Sequence, residues 1–215
     1  MNFSTDSRFF HIMSRIADCI LLSILWFVFS LPVITAGAAT SALYYCVIKV
    51  LREDQGNTLS HFWKAFRANF KQSTIVTVMA LLAVVLVLAV SSSVYTRNPS
   101  QQLLTNIYLV DLLALLFGAA WLHYVFSSIA KFQNSLGNIL KNSLVLCLVN
   151  FPASAFMALL LAAAVVLTIL NYPRSLGIML FLPAGYMLLV SFLLERIYKK
   201  YIPNTKGGAH NAHTE

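Results

Sequence analysis

The feature that most constrains this chain is a series of apolar stretches long enough, or nearly so, to cross a lipid bilayer. They run Ile16–Ile48, Thr74–Tyr95, Leu103–Ile129, Leu144–Leu170 and Leu176–Leu194. A helix needs about 20 apolar residues to cross a hydrocarbon layer about 30 Å thick, and the last four stretches each supply that. Lipid offers nothing to hydrogen-bond an open strand edge, so such stretches form helices. The strands of a membrane barrel would alternate apolar and polar residues, and a run such as Ala80–Val90 does not. The predicted fold is all-α, a polytopic transmembrane helical bundle of five or six membrane segments. Composition agrees, with 59% of residues hydrophobic and only 10% charged. A basic nucleic-acid binder would carry its net charge of +8 on a polar chain, so no nucleic acid is expected as a partner. Cys19, Cys46 and Cys147 all sit in apolar runs, which implies no disulfide framework.

The first stretch is too long for one span and short for two. Pro32 and Gly37 fall near its middle, and proline removes a backbone donor and clashes with the preceding turn, so a break is expected there. Either one long kinked helix crosses once, or two short arms form a hairpin. Length favours the first reading and five segments. Charge favours the second. Lys49, Arg52, Lys64, Arg67 and Lys71 crowd the first long connection, Lys131 and Lys141 lie in a later one, and Arg196, Lys199, Lys200 and Lys206 mark the tail. The alternate connections carry only Arg97 and Arg174. The positive-inside rule then puts the basic connections and the C-terminus in the cytoplasm of a plasma (inner) membrane protein. Arg8 and Arg15 pull the N-terminus to the same side, which inclines the reading to six segments. Residues 1–15 form an N-terminal cytoplasmic segment, 16–195 a single membrane domain, and 196–215 a basic, largely disordered tail. Arg8, Arg15 and Ala36-Gly37-Ala38 superficially match a cleavable signal, but hydrophobicity resumes straight after the supposed cut, so the segment is expected to stay.

Thr58–Gln72 is an unusual connection. Phe62, Phe66 and Phe70 recur one helical turn apart with Trp63 beside them, while Lys64, Arg67 and Lys71 occupy another side. This predicts a short cytoplasmic amphipathic helix. It lies either in the interface, rings in the acyl boundary and cations toward anionic headgroups, or against the bundle with its rings inward. The next basic connection echoes it 70 residues later: Phe62 matches Phe132, Lys71 matches Lys141 and Ser73 matches Ser143. The echo points to an internal duplication of helix, cytoplasmic segment and helix.

These residues carry a resemblance. Leu31-Pro32-Val33-Ile34-Thr35-Ala36-Gly37-Ala38-Ala39-Thr40-Ser41-Ala42-Leu43-Tyr44-Tyr45 resembles the signature of the YesL-like family of bacterial integral membrane proteins. Phe62-Trp63-Lys64-Ala65-Phe66-Arg67-Ala68-Asn69-Phe70-Lys71-Gln72-Ser73 follows at the family's spacing, as do Leu140-Lys141-Asn142-Ser143 and Asn150-Phe151-Pro152. The family is a domain of unknown function. The resemblance implies genes near carbohydrate ABC importers and two-component sensors, and supplies no catalytic residues.

Chemistry-bearing residues are few. Of the seven acidic residues, Glu53 and Asp54 read as a solvated turn, and Asp18 near Arg15 and Glu195 beside Arg196 read as interfacial anchors. Asp111 lies inside the third stretch, where it is a proton or cation site if central, or interfacial if the span begins near Leu112. His123 is the histidine within a span, with Ser127 one turn on; it reads as an interhelical hydrogen-bonding residue, since no acid or oxyanion element completes a catalytic set. His210 and His213 are too few ligands for a closed zinc site. No cofactor or metal is expected, and enzyme is the least supported class. Gly37, Ala38, Ser41 and Ala42 make small-xxx-small pairs that allow close helix packing, or, with Pro32, a broken helix at a substrate site. Two functions follow. The first is a non-catalytic accessory or regulatory partner of a membrane complex, such as an ABC importer permease or sensor kinase, bound through Phe62, Trp63, Phe66 and Phe70. The second is a small secondary transporter or channel using the broken first helix and Asp111.

Overall fold

The computed structural model describes residues 3–54, 56–95, 100–132, 134–170 and 176–201, and these form helices without a strand. In order they are α1 (Phe3–Ser30), a 3-10 turn (Val33–Thr35), α2 (Ala36–Cys46) prolonged by a wider π-helical segment (Val47–Arg52), α3 (Thr58–Tyr95), α4 (Gln101–Lys131), α5 (Leu136–Val149), α6 (Phe151–Leu170) and α7 (Leu176–Tyr201). Among the described residues, six helices are long and apolar enough to cross a membrane: Ile12–Ser30, Val33–Arg52, Thr58–Tyr95, Gln101–Lys131, Phe151–Leu170 and Phe181–Tyr201.

The first apolar stretch is therefore two arms of a hairpin. It looked too short for two because each arm reaches past the purely apolar run, α1 back to Ile12 and α2 on to Arg52. Pro32 is extended, at φ −75° and ψ 109°, and gives no N–H to continue α1. Thr35 completes the turn. Its hydroxyl lies 2.7 Å from the carbonyls of both Phe29 and Pro32, and its N–H donates to Pro32 at 2.8 Å. These contacts serve carbonyls that a helix end would otherwise leave without a partner. The Trp26 indole N–H then donates to Thr40 across the hairpin at 3.1 Å.

Gly37 is not part of the break. It lies inside α2, where α2 crosses α3 and α4. A Cβ there would overlap the Thr77 hydroxyl and come within 2.6 Å of the Phe126 ring. Lipid tails are as apolar as leucine, so helix association here rests on close van der Waals contact, and small residues permit it. Ala38, Ala39, Ser41 and Ala42 are fully buried on the same helix. α2 is the centre of the bundle and touches α1, α3, α4 and α7.

Two expected boundaries are corrected. The basic-aromatic stretch is not a separate short helix but the first part of α3. That helix has 38 residues, about 57 Å at 1.5 Å per residue, and neither proline nor glycine interrupts it. The fourth apolar stretch is conversely not one helix. It breaks at Asn150, and Pro152 opens the first turn of α6. The side chain and N–H of Asn150 both donate to the Leu146 carbonyl, at 3.0 and 3.1 Å, and close the end of α5. The proline explains why one echo of the pattern is continuous and the other broken. In both, however, the echoed serine reaches a serine of the preceding helix: Ser73 meets Ser41 at 2.9 Å, and Ser143 meets Ser128 at 3.3 Å. α7 also runs on past Glu195 to Tyr201, so the helix takes in the start of the supposed tail. His210 and His213 lie outside the described residues.

Candidate functional site

The aromatic residues of α3 divide between two surroundings. Phe62 and Phe66 are buried, and Phe29 of α1 lies tilted against them and Trp63, with ring centroids 5.6, 4.9 and 5.7 Å away. Trp63 and Phe70 are instead 45% and 41% exposed. The Arg67 guanidinium lies 5.5 Å from the Trp63 ring centre, and Lys64 and Lys71 are exposed on the same helix. One face of α3 is thus core. The other presents two exposed rings and three cations.

Glu195 is a hub that sequence reasoning missed. Its expected role was as an anchor beside Arg196. In the fold it accepts from Lys131 of α4 at 2.6 and 2.8 Å and from the Tyr44 hydroxyl of α2 at 3.0 Å. Both charged side chains are mostly buried, Glu195 at 13% and Lys131 at 21% exposure. One turn along α7, the Tyr198 hydroxyl meets Ser127 at 2.6 Å and Ser128 at 3.0 Å. Ser128 accepts from Ser143 of α5, and Ser154 of α6 donates to the Tyr124 hydroxyl at 3.2 Å. These residues of α2, α4, α5, α6 and α7 form hydrogen bonds to one another at a single end of the bundle. A signal was present: Glu195 and Tyr198 are three residues apart on one helix, and Ser127, Ser128 and Lys131 cluster on another. The pairing between the two helices is not local information.

The same end gathers other charges. Arg15 pairs with Asp54 at 3.2 Å and Lys49 with Glu53 at 2.8 Å. Arg52 donates to the Ser191 carbonyl and lies 4.5 Å from the Phe192 ring centre. Asp18 does not stand beside Arg15 as an isolated anchor but accepts from Thr58, at the start of α3, at 2.5 Å. Asp54 and Asn57 hold positive φ, 59° and 69°, in the turn between α2 and α3. Their short polar side chains suit this conformation.

Asp111 lies well inside α4 and accepts from buried Ser91 of α3 at 2.9 Å. Tyr95 and Tyr108 stack a turn further along, centroids 5.4 Å apart. His123 bonds through Nδ1 to the Ala119 carbonyl and through Nε2 to the Tyr186 hydroxyl of α7, each at 2.7 Å. The Ser127 hydroxyl does not reach the His123 ring; it serves the His123 carbonyl and Tyr198. The structure therefore brings His123 to Tyr186 and Asp111 to Ser91, and leaves the two sites apart. Among the described residues no three metal-ligating side chains come together.

A family of proteins of unknown function, DUF624, matches residues 19–91, a span that takes in the hairpin turn, the small-residue face of α2 and the basic-aromatic start of α3. No curated protein and no solved structure matches the chain.

Proposed function

We propose that this protein is a non-catalytic accessory or regulatory partner of a membrane complex, held in the plasma membrane with the basic end of its bundle in the cytoplasm. The observation that carries this reading is the uneven burial of the helices. α2 is largely buried among its neighbours, α1, α3 and α6 expose most of their apolar length alike, and α4 is the least buried of the membrane-length helices described. The far parts of α3 and α4 form an arm that packs mainly on itself. Leu82, Val85 and Leu86 on one helix, and Leu109, Val110 and Leu113 on the other, all face outward. A hairpin with apolar residues around its circumference suits seating against another membrane protein, and the Ser91–Asp111 hydrogen bond keeps its two helices in register. The resemblance to YesL-like proteins supplies the partner class, a carbohydrate ABC importer permease or a sensor kinase.

Photo-crosslinkers at Leu82, Leu86 and Leu113, followed by purification in mild detergent and mass spectrometry, test the proposal. The expected result is one membrane partner captured in stoichiometric yield from all three positions. Crosslinks to lipid alone would overturn it. The transporter reading requires the broken first helix and Asp111 to share a site. Thr35 closes the break and Ser91 holds Asp111, so the arrangement supports the accessory reading instead.

A further inference from the structure

α1, α2, α4, α6 and α7 enclose a cavity of about 440 Å³, within the roughly 300–1,000 Å³ of small-molecule sites. Phe27 of α1 and Val165 and Ile169 of α6 line it and are themselves exposed, so it opens sideways between two apolar helices, toward lipid. The walls are almost wholly apolar. Their few polar groups have one property in common: each hydrogen has an acceptor.

The Ala119 carbonyl can only accept, so His123 Nδ1 carries a proton. In the neutral ring Nε2 is an acceptor and the Tyr186 hydroxyl donates to it. In the protonated ring Nε2 donates, and Tyr186 turns its proton to the Met157 carbonyl 3.3 Å away. In both states the Tyr186 proton is committed and a lone pair on its oxygen is left over. Thr40 donates to Ala36, Thr168 donates to Ala164, and Trp26 donates to Thr40. Pro183 interrupts the donor series of α7, and the next N–H, that of Ala184, is taken by Ser23 of α1 at 3.2 Å. Among the described lining groups, every side-chain polar hydrogen already has its acceptor. The cavity offers lone pairs and no donor.

We propose that this cavity binds an uncharged single-chain amphiphile whose polar end is a hydrogen-bond donor, a long-chain alcohol, entering from the bilayer between α1 and α6. The chain fills the apolar volume and its hydroxyl donates to the Tyr186 oxygen. Beside the neutral His123 ring an ionised carboxylate is refused, because its oxygens only accept and its charge would lie unpaired in apolar surroundings. An ether of the same length fits the volume but has no hydrogen to give.

The test uses the full chain in phosphatidylcholine nanodiscs with a diazirine-bearing hexadecanol as the photoprobe. Unlabelled n-hexadecanol, its methyl ether and hexadecanoate compete for labelling. Labelled peptides are expected from α1, α6 and α7. Hexadecanol should compete about fivefold better than either analogue, as one neutral hydrogen bond allows. The double variant His123→Leu/Tyr186→Phe should keep the labelling and lose the preference. Equal competition by all three compounds, a preference for hexadecanoate, labelling spread over the α3–α4 arm, or an unchanged preference in the double variant would each overturn the proposal. If the double variant does not fold, the ranking on the unaltered protein decides the matter.

Discussion

Glu195 shows how much one residue can hold when lipid surrounds a bundle. Its carboxylate accepts from Lys131 and Tyr44, and so joins α7 to α4 and α2. Removing one partner of a buried ion pair leaves the other charge uncompensated, which costs about 3–5 kcal/mol when burial is complete. Lys131 keeps 21% of its side-chain exposure, so Glu195→Gln should cost less, about 1–3 kcal/mol after discounting for solvent. The measurement is unfolding of the purified protein in mild detergent. The double variant Glu195→Gln/Lys131→Met should lose less than the two single losses added together, because neither charge is then left behind. Additive losses would show that the pair is not coupled. From sequence, Glu195 next to Arg196 read as an anchor because adjacency is all that a linear pattern displays. On a helix, neighbours in sequence point away from each other, whereas Lys131 arrives from a different helix altogether.

At the scale of the element, α3 is the informative case. The one-turn recurrence of Phe62, Phe66 and Phe70 predicted an amphipathic helix with its rings to one side, and left open whether they face lipid or protein. The fold divides them by burial: Phe62 and Phe66 are enclosed, while Trp63, which also lies 5.7 Å from Phe29, and Phe70 keep much of their surface exposed. Their substitutions should therefore differ in kind. Phe62→Ala opens a cavity against Phe29 and should destabilise the protein by about 3–5 kcal/mol. The pair Trp63→Ala/Phe70→Ala should change stability little, but should weaken association of this end with bilayers containing phosphatidylserine relative to phosphatidylcholine alone. Thermal unfolding of the full chain in phosphatidylcholine nanodiscs with and without phosphatidylserine separates the two effects; equal loss of stability in both variants would refute the division. The break between α5 and α6 was legible only in part. Pro152 was visible in the sequence, but proline is tolerated in the first turn of a helix, so its presence did not say on which side of Asn150 a helix would end.

For the whole molecule, six of the described helices are long and apolar enough to cross a membrane, and six crossings would return the chain to the side from which it starts. Lys49, Arg52, Lys131 and the end of α7 lie together at one end, joined through Glu53, Ser191, Phe192 and Glu195. By the positive-inside rule we propose that this end faces the cytoplasm. Single cysteines at Gly56, Ser100 and Ser135, in a background lacking Cys19, Cys46 and Cys147, test the orientation in intact cells. An impermeant maleimide should label Ser100→Cys alone. Labelling of Gly56→Cys or Ser135→Cys instead would invert the protein.

The sequence by itself determined that the chain is helical and built for lipid, and roughly where its helices run. Each of those properties follows from the composition of a short window, which lipid tests residue by residue. It also carried the hairpin break at Pro32, because a missing donor acts on its own turn. Only the tertiary structure decided that Gly37 is a crossing point, that Glu195 belongs with Lys131, and that His123 meets Tyr186 beside a cavity. Hydropathy records whether a residue tolerates lipid. It does not record which helix will stand opposite, and in lipid that is settled by the shape and hydrogen bonding of two surfaces far apart in the chain.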